Sequence, residues 1–134
     1  MVKSLIVGAV LTTQVSDERN TEEEHLTILR IVPFEYGFHF TTPGGVYGGL
    51  SATSLEDFAE KLKDVDVDSV TFHYYRGDFQ RWIDNTLGDK ELADKLCFID
   101  NKISGEQLRK ELLKMLNKRI QELKGLEWVE TEGI

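Results

Sequence analysis

Cysteine is nearly missing from this chain. Cys97 is the one cysteine in 134 residues, so no disulfide framework holds the domain together. It stands among Leu96, Phe98 and Ile99, which reads as a small buried hydrophobe; a reactive thiol needs a basic, exposed neighbourhood. Positive charge is also scarce: 16 Lys and Arg face 24 Asp and Glu, a net charge of −8. Nucleic-acid binding depends on neutralising phosphates with Lys and Arg, so nucleic acid is set aside as a partner. No apolar run approaches the roughly 20 residues of a membrane span, which sets aside a membrane. The phosphate-binding signatures are missing as well. There is no GxGxxG, no Walker lysine and no Ser or Cys nucleophile in a recognisable context. No catalytic residue is therefore assigned, and no cofactor or metal is implied.

What is present points to one domain over residues 1–134, since this length builds a single core. Charged residues make up 30% of the chain, a weak lean toward a thermophilic source. Residues 1–11 join one lysine to a short apolar run. A small-residue cleavage site is lacking, so they read as a buried strand rather than a signal peptide, and a cytoplasmic location follows as the simplest expectation.

In chain order, Leu5–Thr13 reads as a core strand and Ser16–Glu24 as an exposed acidic loop. Leu26–Val32 reads as a second strand, ended by Pro33. In Tyr36–Thr42 the residues Tyr36, Phe38 and Phe40 alternate with Gly37, His39 and Thr41, a third strand. A glycine-rich loop, Pro43–Leu50, leads to a helix capped by Thr53 with Glu56 and striped by Leu55, Phe58, Ala59 and Leu62. Ser69–Tyr75 reads as a fourth strand, parallel to the third through a right-handed crossover. Asp78 then caps a helix from Phe79 to Leu87 with Phe72, Phe79, Trp82 and Ile83 in the core. Asp89 starts another helix. Ser104 with Gln107 opens a long last helix to about Lys124, striped by Leu108, Leu112, Leu116, Ile120 and Leu123 and closed by Gly125. The expected fold is α+β: a small mixed sheet of about four strands in the order β-β-β-α-β-α-α-α, covered on one face by helices. Trp128 and Val129 dock the tail, residues 125–134.

At Phe38-His-Phe, Ser54-Leu-Glu-Asp-Phe, Phe72-His-Tyr-Tyr-Arg-Gly-Asp-Phe-Gln-Arg-Trp-Ile83 and Leu87-Gly-Asp-Lys-Glu-Leu-Ala93, the chain resembles a family of small archaeal and bacterial proteins filed as a domain of unknown function. The resemblance runs from about Tyr36 to Leu123 and leaves residues 1–35 outside. It implies a compact prokaryotic domain and no activity, substrate or catalytic residue.

Two constellations are candidates for binding. Where the two parallel strands end, Gly44, Gly45 and Gly48 would gather with Arg76, Asp78 and Arg81. Backbone N–H groups and arginines suit a small anion. A plain connecting loop and a solvated turn explain the same residues. Arg76-Gly77-Asp78 also spells an integrin-recognition tripeptide, read as coincidence. The second constellation is His39 with His73, neighbours if their strands pair; with an acid they could hold a metal, but hydrogen-bonded residues on a covered sheet face account for them more simply. Tyr75 shares that face.

The leading reading is a non-catalytic regulatory or protein-interaction module. Exposed aromatics and arginine are the usual interface anchors, and a homodimer through the sheet face bearing His39 and Tyr75 fits them. The alternative is a protein or enzyme that takes a small anionic ligand, a phosphorylated metabolite or nucleotide, at Gly44–Gly49 and Arg76.

Overall fold

The computed structural model describes residues 21–125. The strand expected at Leu5–Thr13, residues 16–20 of the acidic loop, and the docking of Trp128 and Val129 lie outside them. Among the described residues the chain is α+β, but helices dominate, and the sheet is one antiparallel pair. The expected mixed sheet of about four strands is overturned. Helix α1 covers 21–29. A 3-10 turn, Phe34–Tyr36, precedes strands β1 (Phe38–Thr41) and β2 (Tyr47–Ala52). Then follow α2 (Leu55–Leu62), α3 (Val67–Arg76), α4 (Asp78–Arg81), a π-helical stretch (Trp82–Leu87), α5 (Lys90–Leu96) and α6 (Gly105–Leu123).

Two expected strands are helices. Residues 26–29 of the second strand candidate belong to α1. Of its apolar residues, Ile28 and Val32 are buried while Leu26 and Ile31 face solvent. The fourth strand candidate is α3. Its β-branched and aromatic residues favour a strand only when a sheet is there to pack them. Asp66 decides otherwise: its carboxylate accepts from Asp68 N at 3.1 Å and caps the helix. The buried face is then Ser69, Val70, His73 and Tyr74, a helical spacing. Phe72, expected in the core, is half-buried. Gly77 ends α3 at φ 80°, the left-handed region that a side chain would strain. With α3 helical there is no parallel crossover, and the expected site at two strand ends has no counterpart.

The other helices follow the sequence more closely. The α2 stripe Leu55, Phe58, Ala59 and Leu62 is buried. Its cap is Ser54 rather than Thr53: Ser54 Oγ accepts from Asp57 N at 3.0 Å, and Asp57 Oδ2 accepts from Thr53 N at 3.1 Å. In α6 the stripe Leu108, Leu112, Leu116, Ile120 and Leu123 is buried throughout and packs on α2 and α3 rather than on the sheet. Ser104 holds the N-cap position without a side-chain bond; Gly105 N donates instead to Thr71 Oγ1 at 2.9 Å. Glu106 pairs with Arg109 and Glu122 with Arg119. Asp89 caps α5 as expected, accepting from Leu92 N. Cys97, expected to be buried, is exposed, because it falls one residue past the buried stripe Leu92, Ala93 and Leu96.

The hairpin and helices enclose an aromatic core. Phe38 and Phe40 point inward from β1, their rings 4.8 Å apart between centroids, and meet Phe58, Phe79 and Trp82 at 5.1–6.2 Å. Tyr36, expected on the same face, is exposed; its carbonyl accepts from Trp82 Nε1 at 2.8 Å. Two arginines close helix ends. Arg30 donates to Thr86 O and Leu87 O at the end of the π stretch. Arg109 donates to Leu62 O and Val65 O past the end of α2. Both satisfy terminal carbonyls that have no intrahelical partner.

Candidate functional site

His73 lies 4% exposed on α3, with Phe38, Phe72 and Phe79 at ring distances of 4.9–5.6 Å. Its Nε2 accepts from Thr41 N at 2.9 Å. A backbone N–H can only donate, so the ring proton sits on Nδ1, which donates to Asp78 Oδ2 at 2.8 Å. One turn earlier, Ser69 Oγ donates to Thr41 O at 2.5 Å. The outward N–H and C=O of Thr41 are thus both taken by α3 side chains, which close the β1 edge as a third strand would. The β2 edge is managed differently. Its pairing with β1 is irregular between His39 and Thr41, where Gly48, Gly49 and Leu50 face Phe40, and such a bulge bends an edge away from further pairing.

Asp78 is the second centre. It was expected to cap the helix, but Gly77 holds the N-cap position and the Asp78 carboxylate makes no cap bond. It accepts instead from His73, from Arg76 Nε at 3.1 Å and from Arg81 Nη2. Partial burial pushes its carboxyl up, but the hydrogen bonds from His73 and Arg76 and the Arg76 charge outweigh that, so it lies below its ordinary value. Arg76 stacks over the Phe72 ring at 4.9 Å and is 60% exposed. Arg81 also donates to Arg76 O at 3.1 Å.

A shallow cleft of about 390 Å³ opens beside this cluster. Its lining includes His39, Gly45, His73, Arg76 and Asp78. Five of the nine residues singled out from sequence thus meet there, though around a hairpin and a helix rather than two strand ends. Gly44 lies in the hairpin turn and Gly48 in β2, outside the lining. Arg81 reaches the cluster only through Asp78 and Arg76 O. Tyr75 is elsewhere: its hydroxyl donates to Ile103 O at 2.6 Å, so it does not share a face with His39. His39 bonds Ser51 Oγ through Nδ1 at 2.7 Å. His39 and His73 are not on neighbouring strands, and among the described residues no three His, Cys, Asp or Glu side chains gather as metal ligands.

A family model for a family of unknown function, DUF5752, matches residues 35–133. The chain belongs to DUF5752. No curated protein and no solved structure matches it. The DUF5752 span takes in the hairpin, the His73–Asp78 cluster and α6, and leaves α1 outside. No helix of this DUF5752 member is long and apolar enough, among the described residues, to cross a membrane.

The outer face of the DUF5752 hairpin carries a second arrangement. Phe34 lies 4.8 Å from the His39 ring, and His39 lies 6.1 Å from Tyr47. Ser51 ties the row together, meeting His39 Nδ1 at 2.7 Å and the Tyr47 hydroxyl at 2.8 Å. Phe34 is 62% exposed and Tyr47 50% exposed. Sequence reasoning missed Phe34 and Ser51 here, and Thr41 and Ser69 at the edge. Ser51 sits two residues from the glycines, and Phe34 directly follows Pro33; neither carries a local signal, because the hairpin register is what brings them together.

Proposed function

We propose that this domain is a non-catalytic protein-interaction module whose recognition surface is the row Phe34, His39 and Tyr47. The observation that carries the reading is that Ser51 bonds both the half-buried His39 ring and the exposed Tyr47 hydroxyl, with exposed Phe34 packed 4.8 Å from His39. Rigid aromatics held outward give contact area with little ordering cost, which is how interface anchors work. The His73–Asp78 cluster supports it from the other side. His73 joins the hairpin to α3 through Nε2 and α3 to Asp78 through Nδ1, and the other Asp78 oxygen is taken by Arg81 within α4, a structural assignment for the residues that look most reactive in the sequence. In a chain of net charge −8, the fitting partner is a segment bearing Arg or Lys, which can stack on the rings as a cation. Peptide display on the immobilised domain tests this. Enriched peptides should be basic, bind more weakly as salt rises, and lose binding to a Phe34→Ala, Tyr47→Ala variant of unchanged fold. Enrichment indifferent to that variant would sink the reading.

One observation favours a small anionic ligand instead. Arg76 and Arg81 share the single Asp78 carboxylate, leaving one positive charge over beside the cleft. A thermal-shift series over nucleotides, sugar phosphates and divalent metals tests it; a tight ligand at a hundredfold excess over its Kd adds about 2.7 kcal/mol. A flat series, or an Arg76→Ala protein that responds like the parent, removes this second reading.

A further inference from the structure

His39 belongs to two places at once. Its ring stands between Phe34 and Tyr47 in the row, and the same residue lines the cleft beside Arg76. The row and the cleft are therefore one continuous surface, joined at His39. The cleft is opposite in charge to the chain as a whole. Its charged lining is Arg76 and Asp78, and Arg81 reaches Asp78 from outside it. The His73 ring carries its proton on Nδ1 alone, since Nε2 accepts from Thr41 N, and adds no charge. Two guanidinium groups thus face one carboxylate, in a chain of net charge −8. Arg81 spends Nη1 on Arg76 O and Nη2 on Asp78. Arg76 spends only Nε, on Asp78 at 3.1 Å, and its Cζ rests over the Phe72 ring at 4.9 Å. The two Nη groups of Arg76 have no partner among the described residues.

The hairpin turn adds no backbone donors to this guanidinium. Gly45 N bonds Thr42 O at 2.8 Å, Val46 N bonds Thr42 Oγ1 at 3.2 Å, and Thr41 N is taken by His73. A phosphate group calls for donors on several sides. A fixed pair of Nη groups matches the two oxygens of a single carboxylate. We propose that the partner of this domain carries a carboxylate near its basic residue: the cation stacks on the Phe34, His39 and Tyr47 row while the carboxylate enters the cleft and pairs with the Nη groups of Arg76. This carboxylate anchor rests on the row being the recognition surface, and it names the second chemical group that the partner must present.

Peptide display run in parallel on the parent and on Arg76→Met tests the anchor. Methionine keeps an unbranched side chain against Phe72 and removes the charge. Peptides selected by the parent should share an Asp, a Glu or a free C-terminal carboxylate at a fixed spacing from the basic residue. Those selected by Arg76→Met should keep the basic residue alone. Converting that carboxylate to its amide in a synthetic copy should weaken binding to the parent about tenfold and leave binding to Arg76→Met unchanged, a contrast that a fold defect would not give. Peptides that need Phe34 and Tyr47 but carry no fixed carboxylate, or that bind Arg76→Met as they bind the parent, overturn the anchor and leave the row standing. Peptides indifferent to Phe34→Ala, Tyr47→Ala remove both. A nucleotide or sugar phosphate that stabilises the parent and not Arg76→Met assigns the cleft to a free anion and overturns the anchor as well.

Discussion

His73 illustrates how a residue suited to chemistry can be committed to structure. Its ring is packed among Phe38, Phe72 and Phe79, and its nitrogens join β1 to the start of α4. His73→Ala removes the packing and leaves the Thr41 N–H without its partner, so it should cost about 3 kcal/mol of stability, read from the shift of a denaturant midpoint. Asp78 should show its role through pH. Its folded value is depressed, so its contribution is fully present above the ordinary carboxyl value of about 3.9 and disappears as pH falls through the lower folded value. Unfolding curves taken from pH 6 downward should show a constant stability gap between the parent and Asp78→Asn at the upper end, narrowing below about pH 4. A gap unchanged at the lowest pH would assign the loss in Asp78→Asn to something other than the charge.

At the scale of elements, legibility followed the kind of order involved. α6 was readable because Leu108, Leu112, Leu116, Ile120 and Leu123 repeat at helical spacing and all face the core. α5 was readable from Asp89 and its stripe. α3 was not, because Val70, Phe72 and Tyr74 alternate as well as Val70, His73 and Tyr74 follow a helix; the Asp66 cap and packing on α6 and the hairpin separate the two. The site was readable as a residue list and unreadable as a geometry, since His39, Gly45, His73, Arg76 and Asp78 meet through the position of α3. The entry to β1 gives an element-level test. A Cβ on Gly37 would stand 2.6 Å from Ala52 O, a backbone atom that cannot rotate away. Gly37→Ala should therefore cost about 1–3 kcal/mol and disturb hairpin amide resonances before those of α6.

Across the whole molecule, one buried ion pair joins α5 to α6. Asp89 is 1% exposed and takes two bonds from Arg119, at 2.8 and 3.0 Å. Burial disfavours the Arg119 charge, but the hydrogen bond and charge of Asp89, with Glu91 and Glu122, more than restore it and raise its proton affinity. Arg119→Met leaves Asp89 buried without its partner and should cost about 3–5 kcal/mol. Adding Asp89→Leu should recover part of that loss, less the helix cap it removes. Equilibrium unfolding of the two variants checks both, and a double variant no more stable than Arg119→Met would contradict the pairing.

The Thr41 amide offers a further consequence. Its hydrogen is held by an imidazole nitrogen 32 residues away in sequence rather than by a neighbouring strand. Exchange of that hydrogen with solvent therefore waits for α3 to lift from the hairpin, and its rate relative to amides inside α6 measures how often the two halves part. The bond also runs from nitrogen to nitrogen, so a through-bond 15N–15N coupling would report the closed state directly, from one amide in the chain.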